Sequence, residues 1–511
     1  MIRSVFSNWV AMVVTGLLGF ILTPLLIHGL GDLQYGMWVL VASALEQYGL
    51  LDMGIRGTLQ RFVARYEGSR DRHALDETFA SALAVSLGVC LLACVISVGL
   101  ARVLPSFFQL SGPGAALFRK LVVLLGLSVA VTFPAQVIGA YLCGLLRYDL
   151  FNLAAIASAL LRFGLFVAAL RLRSGALGVA AATLVVSLFT WALHWYLARW
   201  ADPRFGIRWR LASWRTTREL FGYSVYVFLS QLGDFFRFRV DSVVIARVLS
   251  MGLVTPFNVA ARLVEYFKQV LYAVMGPLMP AMSSLDGQAR DSDLRRLFLR
   301  ATRVTALLSF FLGSLLLLDG RVLLRLWVGE RFVSTYPILL TLVIGYMVAL
   351  AQAPGVSVLY ARAEHEPLGW WTLGEGIVNL ALSIYWAKRY GILGVALGTA
   401  VPMLATKLIL QPWFVLRALR LSAREYVLDA LARPLLAALL FITLVKLPLS
   451  KFPAPNWQEF ALIGAVQTAL FAALAWAVGV TGDERRALRR RARQMVVTRG
   501  WLEGKVASSS N

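Results

Sequence analysis

Gly175-Ala-Leu-Gly-Val-Ala180 opens one apolar run, and Gly391-Ile-Leu-Gly-Val-Ala396 opens another 216 residues later. Thr183 and Thr399 keep the same separation, and Phe6 and Phe221 keep it to within one residue. The runs that follow these motifs, 176–199 and 392–419, are each long enough to cross a bilayer as a helix, for which about 20 residues suffice. Such runs recur along the whole chain, and we expect spans at 6–28, 37–57, 77–104, 119–147, 150–172, 176–199, 219–248, 253–282, 299–326, 335–362, 367–388, 392–419, 427–447 and 457–479. They are continuously apolar rather than alternating, which excludes a β-barrel and leaves helices.

Composition agrees. Of 511 residues, 59% are hydrophobic and only 15% charged, against about 25% charged in soluble domains. Mean hydropathy is +0.71. The expected fold is an all-α polytopic membrane protein of about fourteen helices. Six helices fit one repeat period, and an even number preserves orientation. The two six-helix repeats are therefore parallel, related by an axis along the membrane normal. The expected organisation is a six-helix lobe at 1–200, a cytoplasmic linker at 201–218, a second lobe at 219–420, helices 13 and 14 at 421–480, and a basic tail at 481–511. Two such lobes suggest a rocking transporter with its site between the halves.

The net charge of +23 does not indicate nucleic-acid binding, because Lys and Arg sit in short loops between apolar runs. Loops after even-numbered spans carry most of them, as in Arg56-to-Arg72, Arg199-to-Arg218 and Arg290-to-Arg303, and the tail adds Arg485-Arg-Ala-Leu-Arg-Arg-Arg-Ala-Arg493. Positive charge marks cytoplasmic loops, so both termini are expected in the cytoplasm. The tail run enforces that topology and meets anionic headgroups. Arg3 is followed by an apolar run without a small-residue cleavage site, which reads as a retained first helix. Three cysteines make no disulfide framework, and His28, His73, His194 and His365 are dispersed. No metal cluster, cofactor motif or phosphate-cradling glycine loop appears, so no catalytic residues are assigned.

Charges inside the spans carry the functional signal. A mid-bilayer charge costs about 2.5–3.5 kcal/mol on insertion scales, so each must face protein or a wet cavity. Asp234, Arg237 and Asp241 share one face of span 7, and Arg262, Glu265 and Lys268 step along span 8. Asp52 and Arg56 are four apart near the end of span 2. Self-satisfied ion pairs holding the bundle would account for these groups, as would a solvated path. Arg239, Arg162 and Lys407 lack a helical acid partner at close spacing and suit an anionic ligand. Guanidinium matches phosphate because its planar fork donates two hydrogen bonds together. Pro24, Pro134, Pro277, Pro280, Pro354 and Pro402 inside spans would kink helices or free carbonyls.

Leu30-Gly-Asp-Leu-Gln-Tyr-Gly-Met-Trp-Val-Leu40, Tyr48-Gly-Leu-Leu-Asp52-Met-Gly-Ile55 and Arg61-Phe-Val-Ala-Arg65 look like the start of the polysaccharide-transporter family, the Wzx-type O-antigen flippases. Phe221-Gly-Tyr-Ser, Asp241-Ser-Val-Val-Ile245, the Pro277/Pro280 segment and Gly391-to-Thr399 followed by Pro402 resemble it too. That family belongs to the multidrug/oligosaccharidyl-lipid/polysaccharide exporter superfamily. The resemblance implies two lobes in a V that open alternately, with helices 1, 2, 7 and 8 lining the cavity. It implies an undecaprenyl-diphosphate-linked oligosaccharide as substrate in a bacterial inner membrane, with an ion gradient as driver. The polysaccharide polymerase and chain-length machinery are possible partners besides membrane lipids. On this map Arg237, Arg239, Arg262, Lys268 and Arg56, with Arg162 and Lys407 on other helices, bind substrate, and Asp52, Asp241 and Glu265 are coupling acids. The alternatives are an ion-coupled multidrug exporter of the same superfamily and a membrane enzyme acting on lipid-linked sugars.

Overall fold

A computed structural model describes residues 2–52, 55–218, 240–275, 278–362, 364, 366–446, 456–482 and 484–486. Among the described residues there is helix and no strand. Ten helices among them are long and apolar enough to cross a membrane. The first, Ser7–Leu45, covers two expected spans, because Gly31 interrupts it at φ 74° and ψ 166°. Only glycine adopts that geometry cheaply. The helices Val254–Met275 and Glu366–Tyr390, 22 and 25 residues long, coincide with expected spans 8 and 11 but carry more charge. Most of span 7 lies outside the described residues, which resume at Val240. The protein is an all-α, multi-pass membrane protein.

Span 2 departs from its expected form. Its helix ends at Glu46, residues Gln47–Asp52 form a tighter 3₁₀ turn, and a new helix runs Ile55–Ser69. The expected pairing of Asp52 with Arg56 falls on a side chain, that of Asp52, outside the described residues. Arg70, at φ 57°, turns the chain, and Asp71 caps the next helix, Arg72–Phe107, by accepting a bond from the Ala74 N–H at 3.0 Å.

The chain divides into two compact units. One comprises Met1–Tyr266, Trp327–Leu342 and Gly369–Pro402, and the other Phe267–Leu326, Val343–Leu368 and Met403–Asn511. The first unit packs tightly through small residues. A Cβ on Gly144 would stand 2.6 Å from Val63, and one on Gly126 2.1 Å from the Ser97 hydroxyl. Close backbone approach of this kind is how membrane helices gain contact without a hydrophobic drive. Its core gathers Phe79, Tyr141 and Phe205 with ring centroids 4.9–5.2 Å apart. The repeated motif has one geometry in both places. Gly175 and Gly391 take φ 63° and 61°, and each opens a helix.

In the second unit Phe311, Phe441 and Phe471 form the aromatic centre, bringing spans 9, 13 and 14 together. Arg303, 5% exposed, is satisfied by Glu484 at 2.5 Å and by the Asp429 carbonyl at 2.5 Å. Two prolines act on helices here as their chemistry requires. Pro412 follows a π-turn at Thr406–Leu410, and Pro434 follows one at Val427–Ala432. The wider turn accommodates the ring, which would strike the carbonyl four residues earlier in a regular helix. Pro354 splits span 10 into Tyr336–Ala351 and Ala353–Ala361, whereas Pro24, Pro134 and Pro402 lie within continuous helices.

Candidate functional site

Of the candidate cations, Arg237 and Arg239 lie outside the described residues, as does Pro277; the Asp52 side chain is not described either. The others fall into two environments. Arg56, Arg162 and Arg262 are exposed side chains in the first unit, and among the described residues none has a carboxylate at ion-pair distance. Arg56 stands over the Phe151 ring at 5.7 Å. Phe151 and Arg162 are eleven positions apart on the helix Tyr148–Arg171, so they share its face about 16 Å apart at 1.5 Å per residue. Arg56 and Arg162 thus mark two heights of one helix face. Arg262 lies within electrostatic reach of the Tyr35 and Tyr266 hydroxyls.

Lys268 and Lys407 belong to the second unit. Lys268 places Nζ 5.2 Å from the Tyr346 ring centre. Lys407, 6% exposed, sits in the π-turn and donates to Gln411 Oε1 at 2.5 Å. Gln411 Nε2 donates to the Gln352 carbonyl at 2.6 Å, and the Tyr426 hydroxyl donates to Gln352 Oε1 at 3.1 Å. The Gln352 carbonyl, at the break before Pro354, also accepts from the Gly355 N–H at 3.0 Å. Lys407 therefore belongs to a buried polar network, and has an i+4 amide partner that a search for acids passes over.

Asp241 sits at the start of the described part of span 7. Its Oδ2 accepts from Thr399 Oγ1 at 3.0 Å. Ser383 Oγ donates to Asn379 Oδ1 at 3.1 Å and reaches the Val395 carbonyl at 3.4 Å, and Asn379 Nδ2 reaches Thr399 at 3.4 Å. Asn379, Ser383 and Thr399 are 2%, 0% and 4% exposed. Gly394 and Gly398 let the two helices come this close. A Cβ on Gly398 would stand 2.3 Å from Ser383 Oγ, and one on Gly394 2.1 Å from the Trp386 carbonyl oxygen. The result is a carboxylate joined through Thr399 to a buried polar network of spans 11 and 12, with the buried Glu375 one turn from Asn379. The i, i+4 spacing of Asn379 and Ser383 was the available signal for it. Glu265 is half-buried in span 8, and its interactions do not single it out.

The first unit also carries a cluster that the residue pattern did not indicate. Arg331 grips Asp32 with N···O distances of 3.1 and 3.3 Å. The Thr255 hydroxyl donates to the Asp32 carbonyl at 2.7 Å, and a Cβ on Gly36 would stand 3.0 Å from the Met251 carbonyl oxygen. Nearby, the Trp327 indole donates to the Phe20 carbonyl at 2.9 Å and stacks on its ring at 5.0 Å. These contacts tie the turn between spans 1 and 2 to the turns at 250–255 and 327–331.

Residues 33–337, more than half of the chain, match the family described as polysaccharide biosynthesis protein. An uncharacterized membrane protein of Bacillus subtilis (strain 168), EpsK, is 22% identical over 96% of this chain and 97% of its own length. A putative O-antigen transporter of Shigella flexneri is 21% identical over 77% of this chain and 92% of its own. Among solved structures, the lipid II flippase MurJ in an inward closed conformation superposes with a TM-score of 0.71 at 13% identity, covering 93% of this chain and 98% of that one. A multidrug resistance MATE family transporter of the MOP superfamily, inward-facing, gives 0.70 at 17% identity, covering 80% and 95%. These two likenesses establish the fold. The chain belongs to the polysaccharide biosynthesis protein family.

Proposed function

We propose that this protein flips undecaprenyl-diphosphate-linked oligosaccharide repeat units from the cytoplasmic to the outer leaflet of a bacterial inner membrane, for O-antigen, capsule or exopolysaccharide synthesis. The observation that carries the reading is the set Arg56, Arg162 and Arg262, three span arginines with no carboxylate at ion-pair distance among the described residues. Unpaired cations in a span are tolerable where they face water or an anion. A diphosphate supplies that anion, and it cannot cross bare hydrocarbon without such partners. Lys268, Arg237 and Arg239 are further candidates by sequence; Lys407, held in its amide network, is the least suited of the set. The family and the relative named an O-antigen transporter support a carrier rather than an enzyme.

The expected organisation, two parallel six-helix lobes at 1–200 and 219–420 with two further helices and cytoplasmic termini, belongs to this proposal. So does an association with the polymerase and chain-length machinery. Asp241 is the favoured coupling acid. A monovalent cation or a proton suits the Asp241 carboxylate beside the Thr399 hydroxyl, since each adds one charge where Asp241 has one to neutralise. Asp52 and Glu265 are the other candidates.

The likeness to a MATE transporter keeps a drug exporter as the second reading. Cationic drugs call for unpaired acids in the path; Asp241 is one such acid, but the exposed span charges without a carboxylate at ion-pair distance among the described residues are Arg56, Arg162 and Arg262. Gene deletion separates the readings. Loss of a flippase strands complete lipid-linked units on the cytoplasmic leaflet; loss of an exporter changes drug sensitivity alone.

A further inference from the structure

The first unit holds a cavity of about 90 Å³ that none of the site residues touches. Spans 2, 3 and 4 and the end of span 7 line it, through Leu40, Ala44, Leu104, Phe107, Phe118 and Val243 among others. Every lining side chain is apolar. A water there would find no hydrogen-bond partner, and apolar cavities of this size stay dry or take up hydrocarbon. Leu40 and Phe118 are fully buried at its inner wall, while Phe107 is 45% exposed at its mouth.

Arg247 stands at that mouth. Its guanidinium lies 5.4 Å from the centre of the Phe107 ring, four positions along the chain from Val243. It is exposed, and among the described residues it has no ion-pair partner. A closed apolar wall and an unpaired guanidinium at its rim together match a molecule with a hydrocarbon chain and a phosphate.

We propose that this cavity and Arg247 form a seat for the isoprenoid chain of the lipid-linked substrate, with a branch of the chain in the cavity and the phosphate on Arg247. The assignment rests on the proposed function, whose substrate combines a methyl-branched chain with a diphosphate. A short cavity bounded on several sides by branched and aromatic side chains suits a branched chain better than a straight acyl chain. The double charge of a diphosphate also suits an unpaired arginine better than a single phosphodiester. Bilayer phospholipid is the competing occupant.

The test uses the purified full-length protein in nanodiscs and a benzophenone-bearing polyprenyl diphosphate as photoprobe. Labelling is expected on peptides containing Phe107 or Val243. It should fall at least about tenfold in Arg247→Gln, the loss expected for one charge-assisted contact. It should also fall in Ala44→Trp, which fills the cavity. If Ala44→Trp melts early, Leu104→Phe fills the same space more gently. Excess unlabelled undecaprenyl diphosphate should abolish labelling, and the same excess of phosphatidylglycerol should leave it. Competition by phosphatidylglycerol, labelling elsewhere only, or full labelling of both the Arg247→Gln and the filled variant overturns the seat. A wild-type sample that flips lipid-linked sugar but labels nowhere near Phe107 overturns the seat alone. A sample that neither flips nor labels anywhere overturns the proposed function with it.

Discussion

Arg331 holds Asp32 through two N···O contacts of 3.1 and 3.3 Å, yet both side chains remain about half exposed, at 50% and 41%. A pair this wet contributes about 0–1 kcal/mol. It can therefore break and re-form within a transport cycle, which a buried pair could not do without a large penalty. Around it, the Thr255 hydroxyl on the Asp32 carbonyl and the Trp327 indole on the Phe20 carbonyl add two further bonds. On the orientation expected from the loop charges, with both termini cytoplasmic, this end of the unit would face outward, and we expect these contacts to hold it shut.

Breaking the pair should open that end without unfolding the protein. In a background lacking native cysteines, Val259→Cys reports on it, because Val259 is fully buried one helical turn below Thr255. We expect an impermeant thiol reagent applied to cells to label this cysteine several-fold faster in Asp32→Asn or Arg331→Gln. The swap Asp32→Arg with Arg331→Asp should restore protection. Unchanged labelling in both single variants would show that the closure does not depend on this pair.

The linker after span 6 is tied down by charge, and its attachment should weaken in acid. Arg72 reaches Asp202 at 2.6 Å, Asp76 at 3.1 Å and the Arg204 carbonyl at 3.1 Å. Burial pushes the Asp202 carboxyl up, but the Tyr141 hydroxyl, Arg72 and the Arg204 N–H outweigh it and hold it below the usual carboxylate range. A depressed pKa contributes stability that is complete above the unfolded value, about 3.9, and is lost as pH falls through the folded value. Thermal melting should therefore drop between pH 5 and lower values more steeply in wild type than in Asp202→Asn. Parallel curves would remove Asp202 from the account.

Spans 11 and 12 approach through Gly398, where any side chain would strike Ser383. Gly398→Val should cost about 1–3 kcal/mol, the usual penalty of overpacking. It should also displace Thr399 from Asp241. A variant that melts like wild type and transports normally would contradict the close packing. Gly16, with open space around its missing Cβ, is the control site, and Gly16→Ala should be silent.

Most of the helical layout was legible in the sequence, and the reasons are particular. Apolar length decides a span, and Gly31, Gly175 and Gly391 mark starts and breaks because their positive φ favours glycine. The site was less legible. Asp32 and Arg331 lie 299 positions apart, and nothing in either neighbourhood signals the other. Asp52 and Arg56 are four apart, but a 3₁₀ turn ends at Asp52 and a new helix starts at Ile55, which periodicity alone does not reveal. Lys407 was read as lacking a partner because only acids were considered, whereas its partner is the amide of Gln411.

If Asp241 couples a cation to transport, neutralising it should uncouple the two. In vesicles, wild-type flipping should respond to an imposed sodium or proton gradient, and one charge moved through 100 mV supplies about 2.3 kcal/mol. Asp241→Asn should flip at a rate indifferent to either gradient. Thr399→Val should act in the same direction more weakly, since it removes one of the oxygens beside the carboxylate. An Asp241→Asn protein that still follows the gradient would shift the role to another acid, with Glu265 and Asp52 next.

The central claim is that the span arginines carry the diphosphate of a lipid-linked sugar. Its most direct measurement is the flipping of fluorescent undecaprenyl-diphosphate oligosaccharide in vesicles containing the purified protein, read by quenching from outside. Wild type should move the lipid, while Arg56→Gln and Arg262→Gln should each lose at least about tenfold in rate, as expected for a lost charge-assisted contact. Lys at either position should recover part of it, since charge returns without the fork. Lys407→Gln, if it folds, should keep most of the rate. Normal flipping by both arginine variants, at normal reconstitution, would contradict the account.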